Sequence, residues 1–215
     1  ELKSRGLGDV YKRQEININN EKFKVDLNDP IDLSLTSKVE KSFKAWYVDE
    51  IKINPIKNDD FIGSVNEGGA VNFREILINP HGNMTHTESV GHISQEKINV
   101  NRLLKTNNFL AQLITVMPQK ITDKIIKNNK KEDEIISLEQ IKNKILPNIQ
   151  ALIIRTQINY EELANKNYNH TNWPFLAESS AAYIRSKGVQ HLLIDQPSID
   201  LSLIHISEPT RLELI

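Results

Sequence analysis

The sequence lacks several features that would point to a particular class of protein. It contains no cysteine, which excludes disulfides and thiolate chemistry and fits a reducing compartment such as the cytoplasm. No run of about 18 apolar residues is present, so no transmembrane helix is predicted. With 27 basic and 28 acidic residues, no charge excess indicates nucleic acid or an anionic membrane as a partner. We therefore expect a cytoplasmic protein that acts on a small molecule and binds neither nucleic acid nor membrane.

The two ends of the chain resemble translated sequencing-adaptor DNA. Residues 4–14 (SRGLGDVYKRQ) and 201–211 (LSLIHISEPTR) can be encoded by one adaptor, read forward at the first end and as its reverse complement at the second. Foreign segments are excluded from fold reasoning. We therefore expect residues 1–14 and 201–215 to be adaptor-derived, His205 to be no ligand, and residues 15–200 to be one natural domain that is truncated at its C-terminal end.

The apolar pattern of residues 15–200 predicts a mixed α/β domain. Alternating or continuous apolar runs predict strands, and helical spacing predicts two helices. The predicted strands span residues 16–26, 31–35, 45–56, 70–78, 110–117, 151–155 and 189–194. The predicted helices span residues 137–145 and 178–187. The final order of strand, helix and strand is typical of α/β proteins.

Three histidines and a glutamate lie close together in residues 79–93 (NPHGNMTHTESVGHI). His86 and Glu88 are two residues apart, so in an extended segment their side chains face the same side. Together with His81 they offer three nitrogen and oxygen ligands that can hold Zn²⁺ or Mn²⁺ and leave a position open for water. His92 is placed to move protons beside such an ion. This pattern predicts a catalytic metal site.

A polar loop with unrelated histidines is the alternative interpretation, and the residues by themselves leave the two equal. Other patterns of active sites are missing from the sequence. There is no Gly-x-Ser-x-Gly elbow for a Ser/His/Asp triad, no phosphate-cradling glycine loop and no dinucleotide fingerprint. The histidine segment is therefore the strongest indication of chemistry.

This segment resembles the motif of the cyclase family, the family of bacterial kynurenine formamidase. Its members carry a pattern like H-x-G-T-H-x-D-x-P-x-H. The chain keeps Thr85, His86 and His92 at the expected spacing, with Glu88 in place of the aspartate. A subgroup pattern, N-P-H-x-x-G-T-H-T-E-C-V-G-H-I, is closer still, although Met84 stands where that pattern has glycine.

Other parts of the chain agree with this resemblance in the same order along the sequence. The segment DLS at residues 32–34 is similar to an early family segment, and residues 63–73 resemble the strand before the motif. Residues 151–156 (ALIIRT) and 188–200 (GVQHLLIDQPSID) resemble later family strands. The resemblance therefore covers nearly all of residues 15–200.

The resemblance implies a fold, a metal and a division of roles. The fold would be a single domain of the swivelling β/β/α type. The metal ligands would be His81, His86 and Glu88, and His92 would be the general acid and base. The family carries a further His and Glu downstream of a Pro-Ser-x-Asp segment, which is residues 197–200 here. Because adaptor-like sequence follows at once, we expect the chain as written to be inactive. Family members are commonly oligomers, so a homo-oligomer, at least a dimer, is expected.

Four further residues are weaker candidates for the site. His170 and Trp173 lie in an asparagine-rich segment (NYNHTNWPF) and could contact the substrate, whereas loop or core packing is the alternative for both. His191 flanks a predicted buried strand and is interpreted as structural. Asp195 follows that strand and could orient a metal ligand or cap the turn, and the structural role is favoured.

The function expected from these observations is metal-dependent hydrolysis of an amide bond. N-formylkynurenine, the substrate of an arylformamidase in tryptophan catabolism, is the candidate that the resemblance implies. Two alternatives remain open at this point. One is a hydrolase of lactones or other cyclic amides, and the other is a non-catalytic binding or structural member of the same fold.

Overall fold

The computed structural model describes residues 14–121, 133–156 and 159–200. Residues 1–13 and 201–215, including His205, therefore lie outside the described residues. The strands are β1 (Gln14–Ile18), β2 (Glu21–Val25), β3 (Lys52–Pro55), β4 (Lys57–Asn58), β5 (Phe61–Ile62), β6 (Arg74–Leu77), β7 (Ala111–Thr115), β8 (Gln119–Lys120), β9 (Glu134–Ile136), β10 (Ala151–Arg155), β11 (Phe175–Leu176) and β12 (His191–Ile194). The helices are α1 (Pro80–Asn83), α2 (Val100–Leu103), α3 (Leu138–Ile141), α4 (Tyr160–Ala164) and α5 (Glu178–Ser186).

The main core lies in residues 110–200, which we call the C-terminal region. Three parallel strands form its central sheet in the order β12-β10-β7. On the middle strand, Leu152 and Ile154 are each 0% exposed, and because they are two residues apart they lie on the same, buried face of the sheet. The core cluster around them comprises Ile114, Val116, Ile136, Ile141, Ile145, Ile149, Leu152, Ile154, Leu176, Ala181 and Ile184.

A second three-stranded sheet, in the order β11-β9-β8, completes the C-terminal region. Helix α5 is joined to it by a buried hydrogen bond, in which Ser180 Oγ donates to Ile136 O at 2.9 Å. Ser180 and Ile136 are each 0% exposed. The two sheets and the helix therefore share one interior.

The residues from 14 to 104, which we call the N-terminal region, are built differently. Their strands form three antiparallel pairs, β1–β2, β3–β6 and β4–β5, and two-stranded sheets are only marginally stable alone. Several large apolar side chains stay open to solvent, including Ile31 at 86% and Ile76 at 65% exposure. This region consequently depends on backbone and polar contacts more than on an apolar interior.

One extended segment, residues 43–45, joins the two regions. Phe43 N donates to Ala164 O at 2.9 Å, and Lys44 N donates to Lys166 O at 3.0 Å. Tyr168 N returns a hydrogen bond to Lys44 O at 2.8 Å. The segment therefore aligns the N-terminal region along residues 164–168 of the C-terminal region.

Most strands predicted from the sequence are present. The extended stretch predicted over residues 16–26 is present as two paired strands, β1 and β2, and β7 and β10 lie where continuous apolar runs predicted them. The predicted helix over residues 178–187 is confirmed as α5. The mixed α/β class is therefore confirmed.

Three local predictions were wrong. Residues 31–35 form no strand, and Ser34 N bonds locally to Asp32 Oδ1 at 2.8 Å. Only residues 52–55 of the predicted strand 45–56 are extended and paired. The helix predicted over 137–145 ends after Ile141, since Asn143 adopts a left-handed φ of 66°. In each case a local turn replaced the predicted regular element.

No helix in the described part of the chain has the length and apolarity needed to cross a membrane.

Candidate metal centre

The first ligand candidate, His81, lies on the one-turn helix α1. Pro80 is at the start of this helix, where its missing N–H and fixed φ are well tolerated. Asn79 precedes it and caps the helix, since Asn79 Oδ1 accepts a hydrogen bond from Gly82 N at 3.3 Å. The helix ends at Met84, whose φ of −136° returns the chain to an extended path. The local sequence therefore folds into a turn that displays His81.

Helix α1 is attached to the rest of the molecule by Gly82 and Asn83. Gly82 O accepts a hydrogen bond from Ala45 N at 3.1 Å. A Cβ at Gly82 would lie 2.3 Å from Val48 Cγ2, so this close approach requires glycine. Asn83 is 3% exposed, and its Nδ2 donates to Asp49 O at 3.2 Å. A buried amide and a close backbone contact thus fix the position of the helix.

The segment after α1 is tied to an early part of the chain. Thr85 Oγ1 accepts a hydrogen bond from Leu35 N at 2.9 Å. Leu35 follows the DLS segment that resembles an early family segment. That segment, although it forms no strand, therefore supports the backbone that leads to His86.

A short 3-10 turn, Val90–His92, positions the last histidine. Ser89 begins the turn, and its Oγ accepts a hydrogen bond from Gly91 N at 3.2 Å. A Cβ at Gly91 would lie 2.2 Å from Ile98 O, so the turn packs directly on the backbone of the next segment. His92 is in this way directed back towards Glu88.

Three imidazole rings meet at one carboxylate oxygen. Glu88 Oε2 lies 3.2 Å from His81 Nδ1, 3.7 Å from His86 Nε2 and 3.7 Å from His92 Nδ1. The ring centroids of His81 and His86 are 4.8 Å apart, and those of His81 and His92 are 4.5 Å apart. All four side chains are partly open to solvent, with exposures between 26% and 50%. We call these four residues the His/Glu cluster.

Part of the His/Glu cluster, without His86, fits a divalent metal ion by its donor atoms and their spacing. Two ligand atoms of a tetrahedral zinc site lie about 3.4 Å apart, given bonds of about 2.1 Å, and the distances from Glu88 Oε2 are close to that value. One ligand atom from each of His81, Glu88 and His92 lies within 4.8 Å of the others. Imidazole nitrogen and carboxylate oxygen together suit Zn²⁺ or Mn²⁺.

The electrostatic surroundings of His81 favour its neutral form. Burial lowers the pKa of His81, and the neighbouring His86 and His92 lower it further, while Glu88 acts in the opposite direction. A neutral imidazole has a free nitrogen lone pair, which a metal ion requires. His81 is therefore suited to bind a metal ion rather than to carry a positive charge.

His86 has a backbone partner on its second nitrogen. Its Nδ1 lies 3.0 Å from Met84 O, and because a carbonyl only accepts, this nitrogen is the one that carries the proton. The lone pair is then on Nε2, the atom that faces Glu88. A carbonyl on the far nitrogen is the usual arrangement that orients a metal-binding histidine. Met84 itself is 36% exposed, so its bulk is accommodated towards solvent.

The two substrate candidates, His170 and Trp173, each pack against an aromatic residue that was not among the sequence-based candidates. His170 is exposed, and its ring packs edge to face with that of Tyr47, with centroids 4.9 Å apart. Trp173 is 6% exposed and packs edge to face with Trp46 at 5.3 Å. Trp173 is thus a packing residue in this structure, whereas His170 is open to a ligand.

The two residues that were interpreted as structural have contacts that fit that interpretation. The ring of His191 packs against that of Phe109 at a tilt of 45°, with centroids 3.9 Å apart. Asp195 accepts hydrogen bonds from Thr156 N at 2.8 Å and from Thr156 Oγ1 at 2.7 Å. Because Thr156 follows β10 and Asp195 follows β12, these bonds join the carboxyl ends of two neighbouring parallel strands.

Sequence reasoning missed the residues that hold the cluster in place. Asn79, before a proline at the start of a helix, had a recognisable capping signal. Asn83 Nδ2 and Ser89 Oγ also donate to the backbone carbonyls of residues 49 and 98, and the sequence gave no signal for these two contacts. Supporting contacts of this kind become visible only when distant segments are brought together.

The architecture and the His/Glu cluster define an α/β protein with a candidate metal centre. The family model described as "Putative cyclase" matches residues 31–201. The chain therefore belongs to the cyclase family, which contains kynurenine formamidase-like proteins. The match includes the whole His/Glu cluster and the central parallel sheet. A comparison with curated proteins gave no match.

Proposed function

We propose that this protein is a metal-dependent hydrolase that cleaves an amide bond. The convergence of His81, His86 and His92 on Glu88 Oε2 supports this proposal. Membership of the cyclase family supports an enzyme of hydrolase-like function, and the family is typically metal-dependent. One line of support is the geometry of the cluster, and the other is the family match over residues 31–201.

In this proposal His81, His86 and Glu88 hold Zn²⁺ or Mn²⁺. The lowered pKa of His81, due first to burial, and the Met84 carbonyl on His86 Nδ1 both favour free lone pairs for binding. His92 is not one of these three ligands, and in this proposal it transfers protons. A metal set of His81, Glu88 and His92 is the competing assignment, because these three offer ligand atoms within 4.8 Å of one another.

The proposed reaction is hydrolysis, in which water adds to the amide carbonyl and the C–N bond breaks. The bound ion would supply Lewis-acid polarisation and a water of lowered pKa. His92 Nδ1 would accept the proton from the attacking water and then donate it to the leaving nitrogen. The products are a carboxylic acid and an amine. The partly exposed cluster leaves room for a small-molecule substrate on its open side.

The finer assignments are part of the same proposal. N-formylkynurenine is the proposed substrate, with lactones and other cyclic amides as the competing class. The swivelling β/β/α fold and a homo-oligomeric, cytoplasmic state are likewise proposed from the family resemblance. The domain is assigned to residues 15–200, and amplifying source DNA across the Asp200–Leu201 junction tests this assignment, because a junction found intact in the source would contradict it.

Metal analysis with matched variants tests the proposal directly. We expect the protein of the natural reading frame to bind one zinc or manganese ion per chain, and His86→Ala in that protein to lose it. His92→Ala, made in the protein of the natural reading frame, should keep the metal. It should no longer hydrolyse formyl-amides. If His92→Ala loses the metal while His86→Ala keeps it, the two roles are exchanged. A stable protein that binds no metal would contradict the proposed hydrolase. It would support the alternative that the protein is a non-catalytic member of the fold.

A further inference from the structure

One face of the central parallel sheet carries an apolar row that the proposed reaction does not use. Leu113, Ile153 and Leu193 lie opposite one another in the register of β7, β10 and β12. Neighbouring strands lie about 4.8 Å apart, so the row is about 10 Å long. Leu113 is 53% and Leu193 is 42% exposed, and none of the three belongs to the core cluster on the other face. Because parallel sheets are normally covered on both faces, an exposed row of this kind is suited to bind an apolar group.

An arginine lies on the same face, at the carboxyl end of the middle strand. Arg155 is two residues after Ile153, so its side chain leaves the sheet on the side of the apolar row. Thr115 is the residue opposite it on β7. Arg155 Nε donates to Thr115 Oγ1 at 3.0 Å, and Arg155 Nη2 donates to the same oxygen at 2.8 Å. These two hydrogen bonds fix the direction of the guanidinium group.

The guanidinium of Arg155 keeps donors that no described residue uses. A guanidinium has five N–H donors, and within the described residues the side chain of Arg155 bonds only to Thr115. No carboxylate of the described residues forms an ion pair with it. Asp195, at the end of the neighbouring strand, accepts instead from Thr156 N at 2.8 Å and from Thr156 Oγ1 at 2.7 Å. Because Arg155 is exposed, its remaining donors are available to an anionic group from solution.

The place and the shape of this arginine suit a carboxylate ligand. In open α/β sheets, ligands bind outside the carboxyl ends of the strands, and Arg155 and Thr115 are the last residues of β10 and β7. A planar guanidinium matches a carboxylate in a charge-assisted pair of two parallel hydrogen bonds. Because Thr115 already holds the guanidinium, binding costs less side-chain freedom than it does for a mobile arginine. The sheet face therefore has an anion-binding end beside an apolar row.

We propose that Arg155 and the apolar row of Leu113, Ile153 and Leu193 form a binding site for a small aliphatic carboxylate. The carboxylate pairs with the guanidinium of Arg155, and the hydrocarbon chain lies along the row. Thr115 is a positioning residue, since it acts through Arg155. The site is separate from the proposed hydrolase, because it shares no residue with the His/Glu cluster and needs no metal ion.

Three probes test the two ends of the site separately. Octanoate has a carboxylate and a hydrocarbon chain, octanamide has the same chain without the charge, and acetate has the charge without the chain. Their dissociation constants are measured by NMR titration of the whole chain without added zinc. We expect octanoate to bind about tenfold more tightly than octanamide, in line with a charge-assisted pair. Acetate should bind at least about tenfold more weakly than octanoate, because it buries almost no apolar surface.

Matched variants assign each effect to its residue. Arg155→Gln should abolish the preference for octanoate over octanamide, while Arg74→Gln, at another exposed arginine on a strand, should leave it unchanged. Thr115→Val should reduce the preference, because the guanidinium is no longer held. Leu113→Ala should weaken the binding of both probes and keep the preference between them.

Circular dichroism shows whether each variant is folded, and Thr115→Val decides the test if Arg155→Gln is not. Three results overturn the site: no binding of octanoate, equal binding of octanoate and octanamide by the unaltered chain, or a preference that is unchanged in the deciding variant. Failure of the chain to bind zinc contradicts only the proposed hydrolase.

Discussion

The two regions of this molecule are stabilised by different interactions. The C-terminal region buries continuous apolar runs, so that Leu152 and Ile154 are completely shielded from water. The N-terminal region leaves Ile31 and Ile76 mostly exposed and positions its backbone through contacts such as the bond from Ala45 N to Gly82 O. Stability is therefore concentrated in one region, and the candidate chemistry in the other.

This division has a physical reason. A hydrolytic site needs side chains that are open to substrate and water, and all four residues of the His/Glu cluster are partly exposed. Exposed side chains contribute little apolar burial, so their backbone has to be fixed by hydrogen bonds and close contacts. Changes in the C-terminal region should then affect unfolding, while changes around α1 should affect metal binding.

The largest expected effect is on the core of the C-terminal region. Leu152→Ala should lower the free energy of unfolding by about 2–5 kcal/mol, because it removes a completely buried side chain and leaves a cavity. Urea denaturation followed by circular dichroism measures this change. Leu193→Ala on the neighbouring strand is the matched control, since Leu193 is 42% exposed, and its cost should be below about 1 kcal/mol. Equal costs for both variants would contradict the core assigned to this sheet.

The second expected effect is stabilisation by zinc, which should differ between the two regions. At a free zinc concentration of about 100 times the dissociation constant, the part of the chain that unfolds together with the metal site should be stabilised by about 2.7 kcal/mol. Hydrogen exchange should show this protection in residues 79–98, which carry and support the cluster. Strands β7 and β10 should change little if the two regions open separately. Uniform protection would instead mean that both regions unfold as one cooperative unit.

A smaller effect is expected at Gly82, where α1 packs closely on residues 45–48. Gly82→Ala places a Cβ 2.3 Å from Val48 Cγ2 and 2.8 Å from Ala45 O, so α1 must shift. Overpacking of this kind costs about 1–3 kcal/mol, and the displacement should weaken zinc binding at His81. Calorimetric titration measures the affinity. The double variant with Val48→Ala should recover only part of it, because the Ala45 carbonyl remains. Unchanged affinity in Gly82→Ala would show that α1 is free to move.

The same division explains how much the sequence could predict. Strand β10 was predicted with its observed bounds, because a buried strand reveals itself by a continuous apolar run. The cluster residues were found from their spacing and resemblance, and the structure brings His81, His86, Glu88 and His92 together. The turn of Trp46 and Tyr47 was mistaken for part of a strand. Its conformation depends on Gly82 and Asn169, which are far away in the sequence, and local periodicity carries no record of such contacts.

The smallest predicted effect compares two helix caps of equal geometry in different settings. Asn79 Oδ1 accepts from Gly82 N at 3.3 Å, and Asn159 Oδ1 accepts from Glu162 N at 3.3 Å. Replacing either asparagine by alanine should cost about 1 kcal/mol of local helix stability. Only Asn79→Ala should weaken zinc binding, because α1 carries His81 whereas α4 carries no residue of the cluster. Zinc titration of both variants measures the difference. If Asn159→Ala weakens zinc binding as much, the position of the cluster depends on the packing between the two regions, and the separation of stability from chemistry fails.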